Sequence, residues 1–330
     1  MKLYMESISR FSVLATTFLL SFSVYSAPSK INGMYVNSFG DKSNPSVIFV
    51  HGGPGYDSQD FEFSTAALLA SKGFYVVVYD QRGQGRSDLA QAPSDYGYKL
   101  YADDLNLIIS TLGITKPALI GHSHGGPISL KFDQFYPGVA SKIILVSAPI
   151  NFFKSLDSIR INCSARYSAI GDAASLNKLN SAFVTLNGLP SIEKEIGAVA
   201  EVFQLGAQKP CDLYAPSYPT QEAIDLRAAV RKQHVLVQEE NLFYPMGNFV
   251  INEQYIHVDQ TQWVKTNAEH IFGIYGSEDG LFTTGILSDI QSSLSANPKS
   301  NRFQLISGAS HSVYIDQQDK FIDAVLQDLK

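Results

Sequence analysis

The sequence predicts an α/β fold in which helices cover both faces of a mostly parallel central sheet and a helical cap is inserted between two strands. Short apolar runs alternate with amphipathic segments in both the first and the last part of the chain, a pattern typical of parallel strands with crossover helices. Between residues 151 and 267 the strand-like runs largely vanish and helical periodicity takes over. Glycine-rich turns follow several strands, and in a parallel sheet such turns meet at one edge.

The individual elements follow from these patterns in chain order. The predicted strands are at 34–39, an alternating run expected at the sheet edge, and at 47–50, 74–79, 118–120, 143–146, 270–275 and 302–306. The predicted helices are at 61–72, 98–112, 128–136, 174–185, 191–205, 220–238, 284–295 and 317–329. We therefore expect one α/β catalytic domain formed by residues 27–150 and 268–330, with a helical cap inserted at residues 151–267.

Composition supports a folded protein and argues against nucleic acid as a partner. The chain has 330 residues, of which 45% are hydrophobic, so a large core can form. Its formal net charge is −6 and it has no basic cluster, whereas nucleic-acid binding needs a basic surface. The sequence contains no internal repeat and no segment with the composition of a flexible linker. It does not predict an oligomeric state.

The amino terminus resembles a secretory signal peptide over residues 1–26. Lys2 and Arg10 precede an apolar run, and Ser26 is the preferred cleavage point, with Ala27 second. The alternative is a retained membrane anchor, although the run is shorter than the ~20 residues that a span needs. We expect a secreted or periplasmic protein with no stable membrane anchor after removal of the signal.

Two cysteines, Cys163 and Cys211, both lie in the predicted cap. In an oxidising compartment they could form one disulfide, but pairing needs Cα atoms within roughly 7 Å, so a bond and two free thiols both remain open.

Residues 121–125 read G-H-S-H-G between a buried strand and a helix, which is the context of a nucleophile elbow. Gly121 and Gly125 approach each other when the chain reverses around Ser123, and a Cβ at either position would clash. Ser123 is therefore the predicted nucleophile.

Asp279 and His311 complete the predicted triad, because each follows a sheet strand and the order Ser, Asp, His is the one expected with this elbow. Serine is a weak nucleophile until a neutral histidine accepts its proton, and a carboxylate orients that histidine. Asp289 is the reserve acid, although it falls inside a predicted helix.

The loop 51–55, H-G-G-P-G, brings backbone N–H groups close to a ligand at a strand end. We expect the backbone N–H groups of Gly53 and His124 to form the oxyanion hole. Asp80 and Arg82 are expected to hold loops together. Three histidines, 51, 122 and 124, could instead suggest zinc, but the serine-centred set explains the loop, so no metal or cofactor is expected.

Two motifs carry a family resemblance: H-G-G-P-G at 51–55 and D-Q-R-G-Q-G-R-S at 80–87. With them the chain resembles the prolyl iminopeptidase branch of the α/β-hydrolases. That resemblance implies an α/β-hydrolase fold and acidic cap residues that hold a free amino terminus. Residues 240–244, E-N-L-F-Y, are similar to a family motif E-N-H-Y-F, which makes Glu240 the candidate amine-binding residue. The family usually has tryptophan where this chain has His124, a change expected to alter the pocket wall.

The leading functional hypothesis is a secreted serine aminopeptidase that releases an N-terminal residue, with proline as one option, from short peptides through an acyl-enzyme. Its partner would be a small peptide or ester substrate. The alternatives are an esterase or a carbon–carbon bond hydrolase with the same triad, because fold does not determine substrate. A non-catalytic binding protein of this fold is the third hypothesis.

Overall fold

The computed structural model describes residues 27–188, 191–237, 240–295 and 302–330, without the side chains of 240–243 and 246. The predicted signal peptide at 1–26 lies outside the described residues. Within the described ranges, no helix combines the length and the apolar character that crossing a bilayer requires.

The described strands form one eight-stranded sheet in the order β1-β2-β4-β3-β5-β6-β7-β8. The strands are β1 (Ser29–Ile31), β2 (Met34–Phe39), β3 (Ser46–Val50), β4 (Tyr75–Tyr79), β5 (Ala118–His122), β6 (Lys142–Val146), β7 (Ile271–Gly276) and β8 (Phe303–Ile306). The pairs β1–β2 and β2–β4 are antiparallel and all other pairs are parallel. The prediction that 34–39 is the edge strand is wrong, because the short β1 folds back and covers it.

Both faces of the central strands are buried, as expected for parallel strands covered by helices on each side. All five residues of β4 and of β5 are buried, and so are the last four of β3 and of β6. The two faces belong to two separate hydrophobic clusters, one of which continues into the cap.

Helices flank the sheet and fill the segment between β6 and β7. They are α1 (Gln59–Phe61), α2 (Ala67–Ser71), α3 (Tyr98–Thr111), α4 (Gly125–Phe135), α5 (Phe152–Ala169), α6 (Ala173–Asn187), α7 (Ile192–Ala207), α8 (Gln221–Gln233), α9 (Glu240–Glu253), α10 (Thr261–Thr266), α11 (Thr284–Leu294), α12 (Val313–Asp316) and α13 (Gln318–Leu329). A π-helical segment, Glu62–Ala66, links α1 to α2 without a break, so the predicted helix at 61–72 is helical but changes its hydrogen-bond spacing within that range. The predicted helix 220–238 ends at Gln233, and the residue after it, His234, leaves helical geometry.

The segment between β6 and β7 leaves and rejoins the sheet unit at adjacent points. Phe152 N donates to Val258 O at 3.1 Å and Gln260 N donates to Ile150 O at 2.7 Å. The helices α5 to α9 therefore form an insertion, the cap, whose two ends are joined by backbone hydrogen bonds.

The two cysteines form a disulfide with their Cα atoms 5.1 Å apart. It joins α5 to the segment that follows α7, so the question left open by the sequence is answered in favour of a bond.

Candidate active site

Ser123 lies at a sharp turn between β5 and α4, with a backbone φ of +50°. The turn needs glycine around it: a Cβ on Gly125 would lie 2.0 Å from Val50 O, and one on Gly121 would lie 2.6 Å from Gly125 O. Such distances are far inside van der Waals contact, and left-handed backbone at a serine is strained. The backbone geometry is that of a nucleophile elbow.

Asp279 and His311 lie side by side at the ends of β7 and β8. His311 Nδ1 is 2.9 Å from Asp279 Oδ2, and both residues are buried. Asp279 Oδ1 also accepts a hydrogen bond from the backbone N–H of Leu281 at 3.0 Å. Because a carboxylate can only accept, Nδ1 carries the proton and the Nε2 atom of a neutral His311 is left as an acceptor.

The adjacency of Asp279 and His311 follows from parallel pairing of the two preceding strands. Glu278 N donates to Ala309 O at 2.9 Å, so the two loops continue to pair beyond the sheet. The reserve acid Asp289 lies elsewhere: it is 62% exposed on α11 and forms an ion pair with Lys154 at 2.8 Å.

The three histidines near the elbow have separate partners. Gln81 N donates to His51 Nε2 at 2.9 Å, which leaves His51 Nδ1 to donate to Gly52 O at 2.6 Å. His122 Nε2 lies 3.0 Å from the carbonyl oxygen of His311 and must donate to it. Burial lowers the pKa of His51 and lowers the pKa of His122 well below its ordinary value. Within the described part of the chain, no group of three His, Cys, Asp or Glu residues could hold a metal ion.

The His124 side chain is packed among aromatic rings. It stacks on Tyr255 with centroids 4.8 Å apart and meets Phe249 edge-on at 4.6 Å. Neither ring nitrogen has a hydrogen-bond partner among the described residues, and burial lowers the pKa of His124 to about 3. The expected change in the pocket wall is therefore indirect, since Tyr255 and not His124 faces the cavity.

The 80–87 motif forms a buried polar network. Asp80 accepts from Ser58 N at 2.9 Å, from Ser58 Oγ at 2.6 Å and from Arg86 Nε at 2.7 Å. Burial alone would raise the pKa of Asp80, but the hydrogen bonds and charge of Arg86 hold it below the ordinary value. Arg82 forms a two-point pair with Asp104 at 2.6 and 2.8 Å. Asp80 thus holds its loop to the loop at Ser58, as the sequence predicts, whereas Arg82 holds it to helix α3.

A cavity of about 880 Å³ lies between the cap and the carboxyl end of the sheet. Ser123, His311 and Gly53 contribute to its wall, together with apolar cap side chains such as Phe203. Glycine is required at position 53, where φ is +132° and an added Cβ would lie 3.0 Å from Gly55 N. The other oxyanion candidate, His124, is the residue directly before the first turn of α4. The structure brings the elbow, the acid–histidine pair and the H-G-G-P-G loop to one cavity.

Glu240, the candidate amine-binding residue, is the first residue of α9. Its side chain lies outside the described part of the structure, so its relation to the cavity stays a prediction.

Several wall residues were not identified from the sequence. Asp60 accepts from Tyr56 Oη at 2.7 Å and lies 2.9 Å from His234 Nε2. Arg231 and Tyr214 reach the same cavity from the cap. Cap packing brings Tyr214, Arg231 and His234 to the site, whereas Asp60 reaches it because it follows the H-G-G-P-G loop by five residues. No local motif marks these side chains.

Comparison with known proteins places these features in a family. The alpha/beta hydrolase fold family matches residues 45–318. A proline iminopeptidase from Saccharolobus solfataricus is 33% identical over 141 residues, covering 39% of this chain and 45% of that protein. A bifunctional esterase/perhydrolase from Acinetobacter calcoaceticus is 32% identical over 116 residues, covering 35% and 41%. The matches thus span less than half the length of these relatives.

Among solved structures, a proline iminopeptidase-related protein from Thermus thermophilus is similar with a TM-score of 0.64 at 18% identity. That similarity covers 93% of this chain and 97% of the other. Identity this low supports the fold alone. With the family match over residues 45–318, the chain belongs to the α/β-hydrolase fold family.

Proposed function

We propose that the protein is a serine hydrolase in which Ser123 is the nucleophile, His311 the general base and acid, and Asp279 the residue that orients His311. The observation that carries the proposal is the 2.9 Å contact between His311 Nδ1 and Asp279 Oδ2, in a cavity that Ser123 shares with His311. The left-handed elbow at Ser123 supports the same assignment.

The proposed reaction has two acyl-transfer steps. Ser123 Oγ attacks the substrate carbonyl carbon while His311 Nε2 accepts the hydroxyl proton. His311 then returns that proton to the leaving group as its bond to the carbonyl breaks, which leaves an ester on Ser123. Water attacks this ester while His311 accepts a proton from the water. His311 then returns that proton to Ser123 Oγ as the ester bond breaks, so that the acid product leaves and both residues are restored.

The negative charge on the carbonyl oxygen would be held by the backbone N–H groups of Gly53 and His124. The position of His124 directly before α4 supports this role, because the positive end of a helix dipole stabilises an anion. Donors of this kind are worth about 3 kcal/mol each in comparable sites.

We propose that the substrates are short peptides with a free amino terminus, from which the first residue is released. Support comes from the two sequence motifs and from similarity to proline iminopeptidases in sequence and fold. Glu240 is the proposed amine-binding residue from the motif match. Asp60 is a further candidate, because it brings a carboxylate to the described cavity wall.

Ester hydrolysis is the second candidate function. The observation that favours it is the apolar character of the cap side of the cavity, where Leu156, Val199 and Phe203 line the same space as Ser123. An ester with a large apolar acyl group would bury well there. Carbon–carbon bond hydrolysis uses the same three residues but has no separate support.

Two assays test these proposals. Labelling with a fluorophosphonate should occur in the native protein and not in Ser123→Ala; absence of labelling would favour a non-catalytic binding protein. A panel of aminoacyl arylamides and acyl esters then separates the two substrate classes. If only the esters turn over, and Glu240→Ala leaves that rate unchanged, the aminopeptidase proposal is wrong and the hydrolase proposal stands.

We also propose that the mature protein works outside the cytoplasm. The predicted signal peptide and the Cys163–Cys211 disulfide support this location, because disulfides persist in oxidising compartments. Amino-terminal sequencing of the exported protein would test it, with a start at residue 27 or 28 expected.

A further inference from the structure

One face of the cap helix α8 lines the active-site cavity. Arg227, Val230, Arg231 and the following His234 all contribute to the wall. Their spacing of three and four residues puts them on one side of the helix. The inward face of α8 therefore brings two guanidinium groups to a wall that is otherwise mostly apolar.

The two arginines differ in their partners. Arg227 is tied to Asp316, whose carboxylate is fully buried and also accepts from Ser310 N at 2.9 Å and from Ser310 Oγ at 2.6 Å. Its charge is compensated within the protein. Arg231 is exposed, and among the described residues none forms a hydrogen bond or an ion pair with it, so none of them compensates its charge. A residue that is both exposed and part of the wall lies where the cavity opens.

A negative group lies on the same wall. Asp60 is 2.9 Å from His234 Nε2, three residues along the chain from Arg231. The wall thus carries the carboxylate of Asp60, which contacts His234, and the guanidinium of Arg231, which has no partner among the described residues. Such a pair matches a substrate that carries both an amine and a carboxylate.

We propose that Arg231 binds a carboxylate on the leaving-group side of the substrate, which identifies the substrate class as short peptides with a free C-terminal carboxylate. This inference rests on the proposed aminopeptidase function. A planar guanidinium forms a two-point hydrogen bond with a carboxylate, which makes arginine suited to this role. The cavity volume of about 880 Å³ is within the roughly 300–1,000 Å³ typical of small-ligand sites, so it suits a few residues and not a folded protein.

The test compares one tripeptide as the free acid and as the C-terminal amide. The readout is the ratio of kcat/KM for the acid to kcat/KM for the amide, at fixed low ionic strength. Native protein should prefer the acid, and Arg231→Gln should lower the ratio about tenfold, as expected for loss of one charge-assisted contact at an exposed site. Lys232→Gln is the matched control, because Lys232 is exposed on the same helix but lies off the cavity wall. An equal ratio in all three proteins would overturn the inference.

A second substrate pair separates failure of this inference from failure of the aminopeptidase proposal. If neither peptide is cleaved but esters are, the aminopeptidase proposal is wrong, and 4-acetoxybenzoate and its methyl ester replace the peptides. The carboxyl group, free in the first ester and methylated in the second, again lies on the leaving group. A preference for the acid that is lost in Arg231→Gln would support the carboxylate site; a preference that survives in this variant, or its absence in the native protein, would overturn it. No turnover of either pair would remove both proposals.

Discussion

The ring of Tyr214 meets the imidazole of His311 edge-on, with centroids 5.4 Å apart and planes at 73°. Tyr214 belongs to the cap, whereas His311 follows the last strand of the sheet. The backbone around Tyr214 strengthens this contact: the carbonyl of Leu213 accepts from Gly280 N at 3.1 Å, and the carbonyl of Tyr214 lies 2.8 Å from Ser310 Oγ, whose one proton it shares with Asp316. The segment that begins at Cys211 therefore holds both loops that carry the Asp279–His311 pair.

Reduction of the disulfide should lower both stability and activity. Cys163 and Cys211 are 48 residues apart, and closing a loop of that length stabilises the folded chain by about 4 kcal/mol in the chain-entropy model. Loss of the bond also frees the Tyr214 segment, so kcat should fall. Urea unfolding with and without dithiothreitol measures the first effect. The chain has two cysteines, so the Cys163→Ser/Cys211→Ser protein is the control and should not respond to reductant. An unfolding free energy that dithiothreitol leaves unchanged in the native protein would contradict the prediction.

His122→Ala should lower kcat about fivefold with little change in KM. His122 Nε2 donates to the carbonyl of His311, so its loss lets the His311 loop move by fractions of an ångström. A neutral hydrogen bond is worth about 1 kcal/mol, which corresponds to about a fivefold change in rate. His122→Gln keeps an N–H donor and should recover most of the rate. An equal decrease of kcat in both variants would show that the packing of His122, and not its hydrogen bond, supports the rate.

Asp279→Asn should lower kcat by about four orders of magnitude, because an amide beside His311 Nδ1 favours the wrong tautomer. Asparagine can still accept from Leu281 N, so folding should survive, which circular dichroism would check. Asp289→Asn is the control and should keep full activity. Loss of activity in Asp289→Asn and not in Asp279→Asn would reverse the assignment of the acid.

Asp80→Asn should lower the free energy of unfolding by about 3 kcal/mol, because the largely buried Arg86 guanidinium loses its main counter-charge and keeps Glu62 at 2.8 Å as the other. The same substitution at Asp88, which is 62% exposed and paired with Lys30, should cost at most about 1 kcal/mol. Denaturant unfolding of both proteins measures the difference. If both substitutions lower the free energy of unfolding by a similar amount, the network around Asp80 does not stabilise the fold.

Stability should fall as the pH drops below 6.5, partly through His124. Because burial lowers the pKa of His124 from 6.5 to about 3, the unfolded chain binds a proton in this window that the folded chain does not. The contribution of His124 to stability is therefore complete above pH 6.5 and declines as the pH approaches 3. At a pH of about 5, the effect of His124 alone should lower the free energy of unfolding by about 2 kcal/mol.

His124→Phe tests that pH dependence, because phenylalanine keeps an aromatic ring among Tyr255 and Phe249 and cannot titrate. Urea unfolding gives the free energy of unfolding at about pH 7 and at about pH 5. The decrease between these two pH values should be about 2 kcal/mol smaller in the variant than in the native protein. The same loss in both would mean that His124 does not contribute.

The layout of the sheet unit could be predicted from the amino-acid sequence. Apolar runs, helical periodicity and turn glycines are short-range signals, so they located the strand ends at which Ser123, Asp279 and His311 lie. The position of a strand in the sheet depends on its neighbours and was predicted less well. The alternating pattern at 34–39 correctly predicted a strand, but it could not show that β1 would pair with this strand and take the edge position.

The surroundings of the site emerge only from tertiary packing. The contact between His122 and His311 joins residues 189 apart, and Tyr214 meets His311 through cap packing. The ring cluster around His124 and the place of Arg231 on the cavity wall likewise depend on where the cap helices pack on the sheet. No local periodicity encodes such contacts, because each depends on the packing of whole elements that are distant in the chain.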